Sequence, residues 1–245
     1  MNILVLMAGG DEAFHDAGYR YPKNLVEIAG LPLVQHVAKQ FAPFVSDAQT
    51  RFTFLVKGDE IGSFHTDDVL QLLLPNAHVI PVQEPTGGAA CTALLAVESV
   101  NNDEPLLLCN GDMIVDADLQ SIVAGFVERD LDGGIVVFDA VHPRWSYVKT
   151  NDDGCVIETA EKRPISKNAT AGIYYFKHGR DFVQAACEMI KKDAHVGGAF
   201  YVCPTYNELI LRQKRIGVAA IDRTAYHSLS DPRSVADYEE FLRGR

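Results

Sequence analysis

The sequence predicts an α/β fold, with a mixed, mainly parallel β-sheet flanked by helices. Short apolar runs that are typical of buried strands recur along residues 1–138, and segments with helical apolar spacing lie between them. This alternation predicts parallel strands joined by right-handed crossovers. A length of 245 residues and a hydrophobic content of 47% are sufficient for a substantial core, and we predict one domain, residues 1–245.

Five strands and three helices are predicted in the first half of the chain. Each strand is an apolar run bounded by turn-forming residues, and each helix carries apolar residues three or four positions apart. The predicted strands are residues 3–7, 52–57, 79–82, 106–109 and 134–138, and the predicted helices are residues 32–44, 89–100 and 119–127.

The pattern changes after residue 138. Two short alternating runs joined by a polar turn predict a β-hairpin, which suggests a small β-rich insertion. A proline in the first turn favours the start of a C-terminal helix at Asp231-Pro232. The hairpin strands are residues 146–149 and 156–158, followed by strands 172–176 and 216–221 and helices 181–192 and 204–212.

Composition excludes several classes of protein. The formal charge of −11 argues against binding to nucleic acid or to an anionic membrane. No apolar stretch approaches the ~20 residues that span a bilayer. The N-terminal residues lack a basic leader, which predicts a cytoplasmic protein. The five cysteines and eight histidines show no CxxC or HExxH spacing, so a zinc site or a disulfide framework is not predicted.

Asn110-Gly111-Asp112 directly follows the buried-strand pattern of residues 105–109. A carboxylate at the carboxyl end of such a strand lies where open α/β sheets bind ligands. It costs stability unless it is paired, and a bound cation is a natural partner. We therefore predict that Asp112 binds Mg²⁺. The alternative is a helix N-cap or turn residue.

The connection after the first strand begins with Met7-Ala8-Gly9-Gly10. The two glycines would let backbone N–H groups approach an anionic ligand closely, although the segment matches neither GxGxxG nor a Walker loop. Further along, Pro22 restricts the backbone next to Lys23, which predicts a phosphate-binding lysine. The alternatives are a tight strand exit and a solvated lysine.

Four motifs resemble the nucleotidyltransferases, or pyrophosphorylases, that make activated sugars and polyols. They are Leu-Met-Ala-Gly-Gly at 6–10, Tyr-Pro-Lys-Asn-Leu at 21–25, Ile-Ala-Gly-Leu-Pro-Leu-Val at 28–34 and Asn-Gly-Asp at 110–112. The resemblance continues through residues 161–164, 171–176 and 231–232. Segments 87–92, 143–147 and 200–208 are most similar to a capsule-polysaccharide subgroup that includes a CTP:phosphoglutamine cytidylyltransferase.

This resemblance implies a Rossmann-like, GT-A-type fold and a defined reaction. Residues 1–138 would bind an NTP, with CTP favoured, and residues 139–245 would bind a small phosphorylated acceptor. That acceptor would be a sugar phosphate, a polyol phosphate or a phosphoglutamine-like compound. Its phosphate oxygen would attack the α-phosphorus and release pyrophosphate, with Mg²⁺ as cofactor. The nucleobase, the acceptor and the formation of a homo-oligomer are left open.

The resemblance also implies residue roles. Asp112 would hold Mg²⁺, Lys23 would contact the NTP phosphates, and Lys162 would contact the acceptor phosphate. Nucleotide binding would further involve Met7, Ala8, Gly9, Gly10, Gln83, Gly87, Gly88, Ala89 and Ala90. Acceptor binding would further involve Trp145, Tyr147, Glu161, Gly172, Tyr201, Asn207 and Glu208. Lys162 could instead be a hairpin-exit lysine, and core or helix-surface roles stay open for Trp145, Tyr201, Asn207 and Glu208.

The loop after the first strand departs from the family pattern. Ala13 stands where the family usually has an arginine that contacts the leaving pyrophosphate. Asp11 and Glu12 add carboxylates that would repel a triphosphate. Either Arg20 substitutes for the arginine, or the two carboxylates bind a further cation.

A second departure lies near the C-terminus, where Ser228 stands at the position of a second metal-binding aspartate in many members. His227 and Asp222 are nearby alternatives. Two other functions are therefore considered. One is a GT-A-type glycosyltransferase that would use the Asp-x-Asp motif at 116–118, and the other is a nucleotide-binding module with impaired catalysis.

Overall fold

The computed structural model describes residues 1–244. Arg245, the last residue of the predicted domain, lies outside the described residues. The strands are β1 (Asn2–Leu6), β2 (Glu27–Ile28), β3 (Leu31–Pro32), β4 (Arg51–Lys57), β5 (His78–Val82), β6 (Leu106–Asn110), β7 (Met113–Val115), β8 (Gly133–Asp139), β9 (Ser146–Thr150), β10 (Val156–Glu161), β11 (Asn168–Phe176), β12 (Ile216–Ala220) and β13 (Tyr226–Ser228). The helices are α1 (Glu12–Asp16), α2 (Leu33–Lys39), α3 (Gly58–Phe64), α4 (Thr66–Leu73), α5 (Ala89–Leu94), α6 (Val97–Val100), α7 (Leu119–Glu128), α8 (Gly179–Lys191), α9 (Thr205–Leu211) and α10 (Pro232–Arg243).

The main sheet has the strand order β10-β9-β11-β6-β1-β4-β5, and β8 and β12 continue from β11. Strands β6, β1, β4 and β5 are mutually parallel, whereas β11 runs antiparallel to β6, β8 and β9. The predicted α/β class with a mixed sheet is confirmed. The predicted hairpin is formed by β9 and β10, and it extends the main sheet through β11.

Helices cover both faces of the sheet. Alternate residues of β1 point into two apolar layers: Ile3 belongs to the layer that contains Val34 of α2, and Leu4 belongs to the layer that contains Phe182 of α8. All of these side chains are fully buried. Burial on both faces explains why β1 is an unbroken apolar run in the sequence.

Two predicted helices are shorter in the structure. The helix predicted over residues 32–44 ends at Lys39, and a 3₁₀ segment, Ala42–Ser46, follows. Pro43 explains this break, because proline lacks an N–H donor and disfavours helical backbone in the preceding residue. The helix predicted over residues 89–100 is divided into α5 and α6 by tighter i→i−3 hydrogen bonds at Leu95 and Ala96.

Several short elements were not predicted. Helices α3 and α4 are joined by His65, whose φ of 54° ends the first helix. The ribbon of β13 and β7 lies outside the main sheet and pairs Ser228 with Met113. Among residues 1–244, no helix combines the length and apolar character needed to cross a membrane.

Candidate active site

The carboxyl ends of the parallel strands β1, β4 and β6 meet at one edge of the sheet. Leu6 is paired with Leu55 of β4 and with Asn110 of β6. The backbone N–H of Gly111 donates to the carbonyl oxygen of Leu6 at 2.8 Å. A Cβ atom on Gly111 would lie 2.7 Å from that oxygen. Only glycine therefore lets the two following loops approach each other this closely.

Lys23 and Asp112 form an ion pair at this edge, with 3.2 Å between Nζ and Oδ2. The Lys23 side chain is 5% exposed, whereas that of Asp112 is 33% exposed. A Cβ atom on Gly9 would lie 3.2 Å from the same Nζ, so the amine lies between the glycine loop and the carboxylate. The structure thus brings together three of the sequence-predicted phosphate-site residues.

A buried hydrogen-bond network holds the loop that carries Lys23. The amide of Asn24 donates to the carbonyl of Met7 at 3.0 Å and to a carboxylate oxygen of Glu60 at 2.9 Å. The hydroxyl of Thr66 donates to the other oxygen of Glu60 at 2.8 Å. Burial raises the pKa of Glu60, and the hydrogen bonds from Thr66 and Asn24 oppose that rise. Sequence reasoning missed this network, although Asn24 stands next to Lys23 in the recognised motif.

The predicted nucleotide-binding residues occupy two loops at the same edge. Met7 is buried and contributes backbone groups, while Gly9 and Gly10 are exposed. In the second loop, Gly88 has φ 119°, and a Cβ atom there would lie 2.6 Å from the carbonyl oxygen of Phe200.

That second loop is held against the segment near Phe200 by two backbone hydrogen bonds. The N–H of Ala90 donates to the carbonyl of Phe200 at 2.9 Å, and the N–H of Phe200 donates to the carbonyl of Gly87 at 2.8 Å. Gln83 is exposed, and its side-chain oxygen lies over Gly58 at the start of α3. Ala89 also lines the cavity that contains Asp112.

A cavity of about 240 Å³ joins Asp112 to most of the predicted acceptor-binding residues. Its walls come from the ends of β6 and β10, the middle of β11 and the β13 ribbon. The predicted residues that line it are Ala89, Asp112, Trp145, Glu161, Lys162, Gly172 and Tyr201.

Lys162 directly follows β10 and has a left-handed backbone, with φ 54°. Its Nζ donates to the hydroxyl of Tyr201 at 2.9 Å and lies 5.1 Å from the centre of that ring. The hydrogen bond to Tyr201 raises the pKa of Lys162, against a smaller opposing effect of burial. The structure thus places a charged amine at the wall of the cavity, as an anion-binding role requires.

Glu161 lies beside Lys162 and is 9% exposed. Burial raises the pKa of its carboxyl group, and a short hydrogen bond from the Ser146 hydroxyl opposes that rise. Ser146 lines the same cavity and was not singled out from the sequence. Its position within segment 143–147, which resembles the family, could have indicated that Ser146 belongs to the site.

Gly172 interrupts the pairing of β11 with β8 between Thr170 and Tyr174. It has φ 73°, and a Cβ atom there would lie 2.8 Å from the side-chain nitrogen of Asn110. A side chain at this position would therefore displace Asn110, which lies two residues before Asp112. The glycine allows β11 to bend around the cavity.

Three predicted acceptor-binding residues make other contacts. Tyr147 is fully buried and donates its hydroxyl to the carbonyl of His142 at 2.7 Å. The Asn207 amide bonds the backbone N–H and carbonyl of Thr159, both at 2.9 Å. Glu208 pairs with a lysine and, with Asn207, lines a separate cavity of about 270 Å³. These contacts favour the structural roles that the sequence left open for Asn207 and Glu208.

The carboxylates of the first loop have defined surroundings. Asp11 pairs with Lys57 at the end of β4, at 2.6 Å, which partly offsets its charge. The carboxylate of Glu12 lies against Gly10. Arg20 lies 5.9 Å from the Tyr21 ring centre, in a cavity of about 390 Å³ that also contains Lys57. Sequence reasoning missed Lys57, because only the pairing of β4 with β1 brings it to this loop.

The donor atoms around Asp112 fit a magnesium ion. The N–H of Leu229 donates to the backbone carbonyl of Asp112 at 2.7 Å, and this places the β13 ribbon beside the carboxylate. Ser228 and Asn110 line the same cavity. Mg²⁺ is commonly held by one or two carboxylates together with substrate phosphates and water. Asp112 would supply one carboxylate, whereas the hydroxyl of Ser228 is hydrogen-bonded to that of Ser230 at 2.9 Å.

Comparison with known proteins identifies the family. The model described as Nucleotidyl transferase matches residues 3–198. The chain belongs to the nucleotidyl transferase family. A nucleoside-diphosphate-sugar pyrophosphorylase from Vibrio cholerae RC9 superposes with a TM-score of 0.84 at 27% identity, covering 97% of this chain and 99% of that chain. The predicted Rossmann-like fold is thereby confirmed.

Two curated relatives agree with this assignment. Mannose-1-phosphate guanylyltransferase catalytic subunit beta of Drosophila melanogaster is 26% identical, covering 71% of this chain and 47% of the relative. The UTP–glucose-1-phosphate uridylyltransferase of Haloferax volcanii is 27% identical, covering 91% of this chain and 88% of the relative. The chain spans about half the length of the first of these relatives. Membership of the cytidylyltransferase subgroup stays a prediction.

Proposed function

We propose that this nucleotidyl transferase family member transfers a nucleoside monophosphate, with CMP favoured, from an NTP to a small phosphorylated acceptor. Pyrophosphate would be released, and the product would serve surface-polysaccharide synthesis in the cytoplasm. The observation that carries the proposal is one cavity with Asp112, paired to Lys23, near one end and Lys162 in its wall. The names of the relatives, a guanylyltransferase and a uridylyltransferase of sugar phosphates, support the same reaction class.

The reaction needs alignment and charge neutralisation more than covalent chemistry. An oxygen of the acceptor phosphate attacks the α-phosphorus of the NTP, and the bond from that phosphorus to the pyrophosphate oxygen breaks. Both reactants are anions, so their approach is unfavourable unless cations lie between and around them. Lys162, in the wall of the cavity, and Lys23, behind the Asp112 carboxylate, would supply two such charges.

Each of these two lysines has a partner that fixes its position. Lys23 is held by Asp112, beside the backbone of Gly9, where an NTP phosphate could accept hydrogen bonds. Lys162 is held by Tyr201 and would contact the acceptor phosphate. Fixing reactants and cations in advance lowers the entropic cost of reaching the transition state.

Asp112 would hold Mg²⁺, which when bound would supply positive charge to stabilise the negative charge that develops on the phosphates. Glu161 and Ser146 are positioned to accept and donate hydrogen bonds to polar groups of the acceptor. A substrate phosphate next to Asp112 would also compete for Lys23. The Lys23 amine could then exchange its ion pair with Asp112 for one with a nucleotide phosphate, while its side chain stays buried.

The CMP preference rests on the segments that resemble the cytidylyltransferase subgroup. Segments 87–92 and 200–208 contact each other through the backbone hydrogen bonds of Ala90 and Phe200. Segments 143–147 and 200–208 both line the Asp112 cavity. The contacts among these segments are consistent with a shared role in choosing the substrates.

The Asp-x-Asp motif offers little support for a glycosyltransferase. The Asp118 carboxylate caps helix α7 by accepting hydrogen bonds from the N–H and hydroxyl of Ser121, at 3.1 and 2.7 Å. Asp116 and Asp118 line a different cavity, beside α2 and β7. The motif therefore has a structural role at the start of α7.

Pyrophosphate release with each of CTP, UTP, GTP and ATP, tested against a panel of phosphorylated acceptors with Mg²⁺, tests the proposal. We expect release with CTP and at least one acceptor. Release only with an NTP other than CTP would reject the CMP preference. Nucleotide binding without release from any combination would favour the module with impaired catalysis.

A further inference from the structure

The Asp112 cavity continues into a second cavity that the proposed reaction does not use. This second cavity has a volume of about 480 Å³ and lies between the β13 ribbon and α10. The two cavities share Arg144, Tyr226 and Ser228 as lining residues. The two cavities therefore adjoin at these residues, and together they are called the groove below.

Arg223 lines the second cavity and has a restrained position. Its guanidinium carbon lies 5.0 Å from the ring centre of Phe138 and 5.6 Å from that of Tyr226. One guanidinium nitrogen donates to the carbonyl of Tyr226 at 3.1 Å. Within residues 1–244, no carboxylate lies within 4.0 Å of this guanidinium. Most of its five N–H donors are thus available to a ligand.

Arg144 stands where the two cavities meet. Its guanidinium carbon lies 4.3 Å from the ring centre of Trp145, and it has no carboxylate partner within 4.0 Å in the part of the chain that the structure describes. Burial and the negative charge of Asp112 raise the pKa of Tyr226, and the positive charges of Arg223 and Arg144 oppose that rise. Both arginines therefore act on the same tyrosine, at the junction of the groove.

Two carboxylates lie near these arginines. Asp231 caps α10 by accepting hydrogen bonds from the N–H and hydroxyl of Ser234, at 2.9 and 2.8 Å, and these bonds, with a smaller effect of the Arg144 charge, hold its pKa below the usual range. Of the described residues that line the second cavity, Asp237 is the one carboxylate, against Arg144 and Arg223. In a chain with a formal charge of −11, a second cavity lined by two arginines and one carboxylate runs against the overall charge. Such a local excess favours an anionic ligand.

We propose that the groove binds an acceptor with a second anionic group, a carboxylate or another phosphate, in addition to the phosphate that reacts. Arg223 and Arg144 contact this second group, and Lys162 contacts the reacting one. The planar fork of arginine suits both carboxylate and phosphate oxygens. The inference rests on the proposed nucleotidyl transfer, since it defines the class of acceptor for that reaction.

Three matched acceptors test the proposal: glucose 1-phosphate, glucuronic acid 1-phosphate and glucose 1,6-bisphosphate. They differ only in a hydroxyl, a carboxylate or a phosphate at the sixth carbon. We expect kcat/KM to be at least about tenfold higher for one of the charged acceptors than for glucose 1-phosphate, since hydrogen bonds between charged groups are the strong ones. The charged acceptor with the higher kcat/KM shows whether the second group is a carboxylate or a phosphate.

Arginine variants connect that preference to the groove. Arg223→Gln should reduce the ratio of kcat/KM for charged over neutral acceptor about tenfold, and Arg223→Lys should retain part of the ratio. Arg51→Gln is the matched control, because Arg51 is exposed at the opposite edge of the sheet, and it should leave the ratio unchanged. Equal use of the three acceptors, or an unchanged ratio in Arg223→Gln, would overturn the proposal.

Calorimetric binding of the same three compounds separates this inference from the proposed function. If none of them supports pyrophosphate release but a charged compound binds more tightly, and Arg223→Gln abolishes the difference, the groove assignment holds and these sugar phosphates are not productive acceptors. Equal affinity for the three, or the absence of binding, overturns the groove assignment whatever the turnover.

Discussion

At the scale of single residues, the ion pair of Lys23 with Asp112 connects the loops that follow β1 and β6 in the proposed NTP site. The lysine is almost completely buried and the carboxylate is one-third exposed. This asymmetry leaves one face of the carboxylate available to a cation or a substrate.

Asp112→Asn should reduce kcat at least about 100-fold, because the variant loses the charge that would hold Mg²⁺ next to the phosphates. Its thermal stability should also fall, since the buried Lys23 amine loses its charged partner, so turnover is compared at a temperature at which the variant is folded. Pyrophosphate release across a Mg²⁺ titration gives the measurement. Asp118→Asn is the control: asparagine caps a helix about as well as aspartate, so stability and turnover should both be retained. Unchanged turnover in Asp112→Asn would remove this residue from the mechanism.

Lys162→Ala should raise KM for the phosphorylated acceptor about 10–100-fold, which corresponds to the loss of a charged hydrogen bond. KM for the NTP should stay within about twofold. Tyr201→Phe, which removes only the hydroxyl that bonds Lys162, should raise the acceptor KM by a smaller factor. Initial rates with each substrate varied in turn separate these effects. An effect confined to the NTP would mean that Lys162 contacts the other substrate.

At the scale of elements, the sequence predicted those strands whose burial on both faces leaves a continuous apolar run. Strands β1 and β6 therefore lie within one residue of their predicted bounds. Helix α3 was missed, because Gly-Asp-Glu-Ile-Gly-Ser-Phe combines weak helix formers with little apolar periodicity. Its place in the fold depends on tertiary contacts, including the buried hydrogen bond between Asn24 and Glu60.

The loop before α5 gives a prediction at this scale. Gly88→Ala should destabilise the protein and raise KM for the NTP, because φ is positive and the new Cβ atom would collide with the Phe200 carbonyl. Gly154→Ala is the matched control, since Gly154 also has positive φ, of 76°, but no atom lies within 4 Å of the position that its new methyl group would take. The control should cost about 1–2 kcal/mol from backbone strain alone. Equal unfolding free energies for the two variants would show that the Phe200 contact is unimportant.

At the scale of the whole molecule, the sequence predicted the side chains that follow strand ends, since parallel strands bring their carboxyl ends to one edge. The approach of Lys57 to Asp11 and of Arg223 to Phe138 could not be predicted in this way. These pairs are 46 and 85 residues apart in the chain, and they depend on strand order and on the β13 ribbon. Asn207 shows a different difficulty. Its place in a recognised segment suggested acceptor binding, but its side chain forms hydrogen bonds with the backbone of β10.

Ligand-linked stability tests the whole arrangement, because a ligand that binds only the folded chain stabilises every element at once. CTP with Mg²⁺ at about 100 times its Kd should add about 2.7 kcal/mol of stability, which corresponds to a rise in Tm of roughly 5–10 °C for a chain of this size. Differential scanning fluorimetry with CTP alone, CTP with Mg²⁺, and CTP with EDTA gives the measurement. The rise should require Mg²⁺ and should be largely lost in Asp112→Asn but retained in Asp118→Asn. An equal rise in the presence of EDTA, or in both variants, would mean that the metal–nucleotide complex binds away from the end of β6.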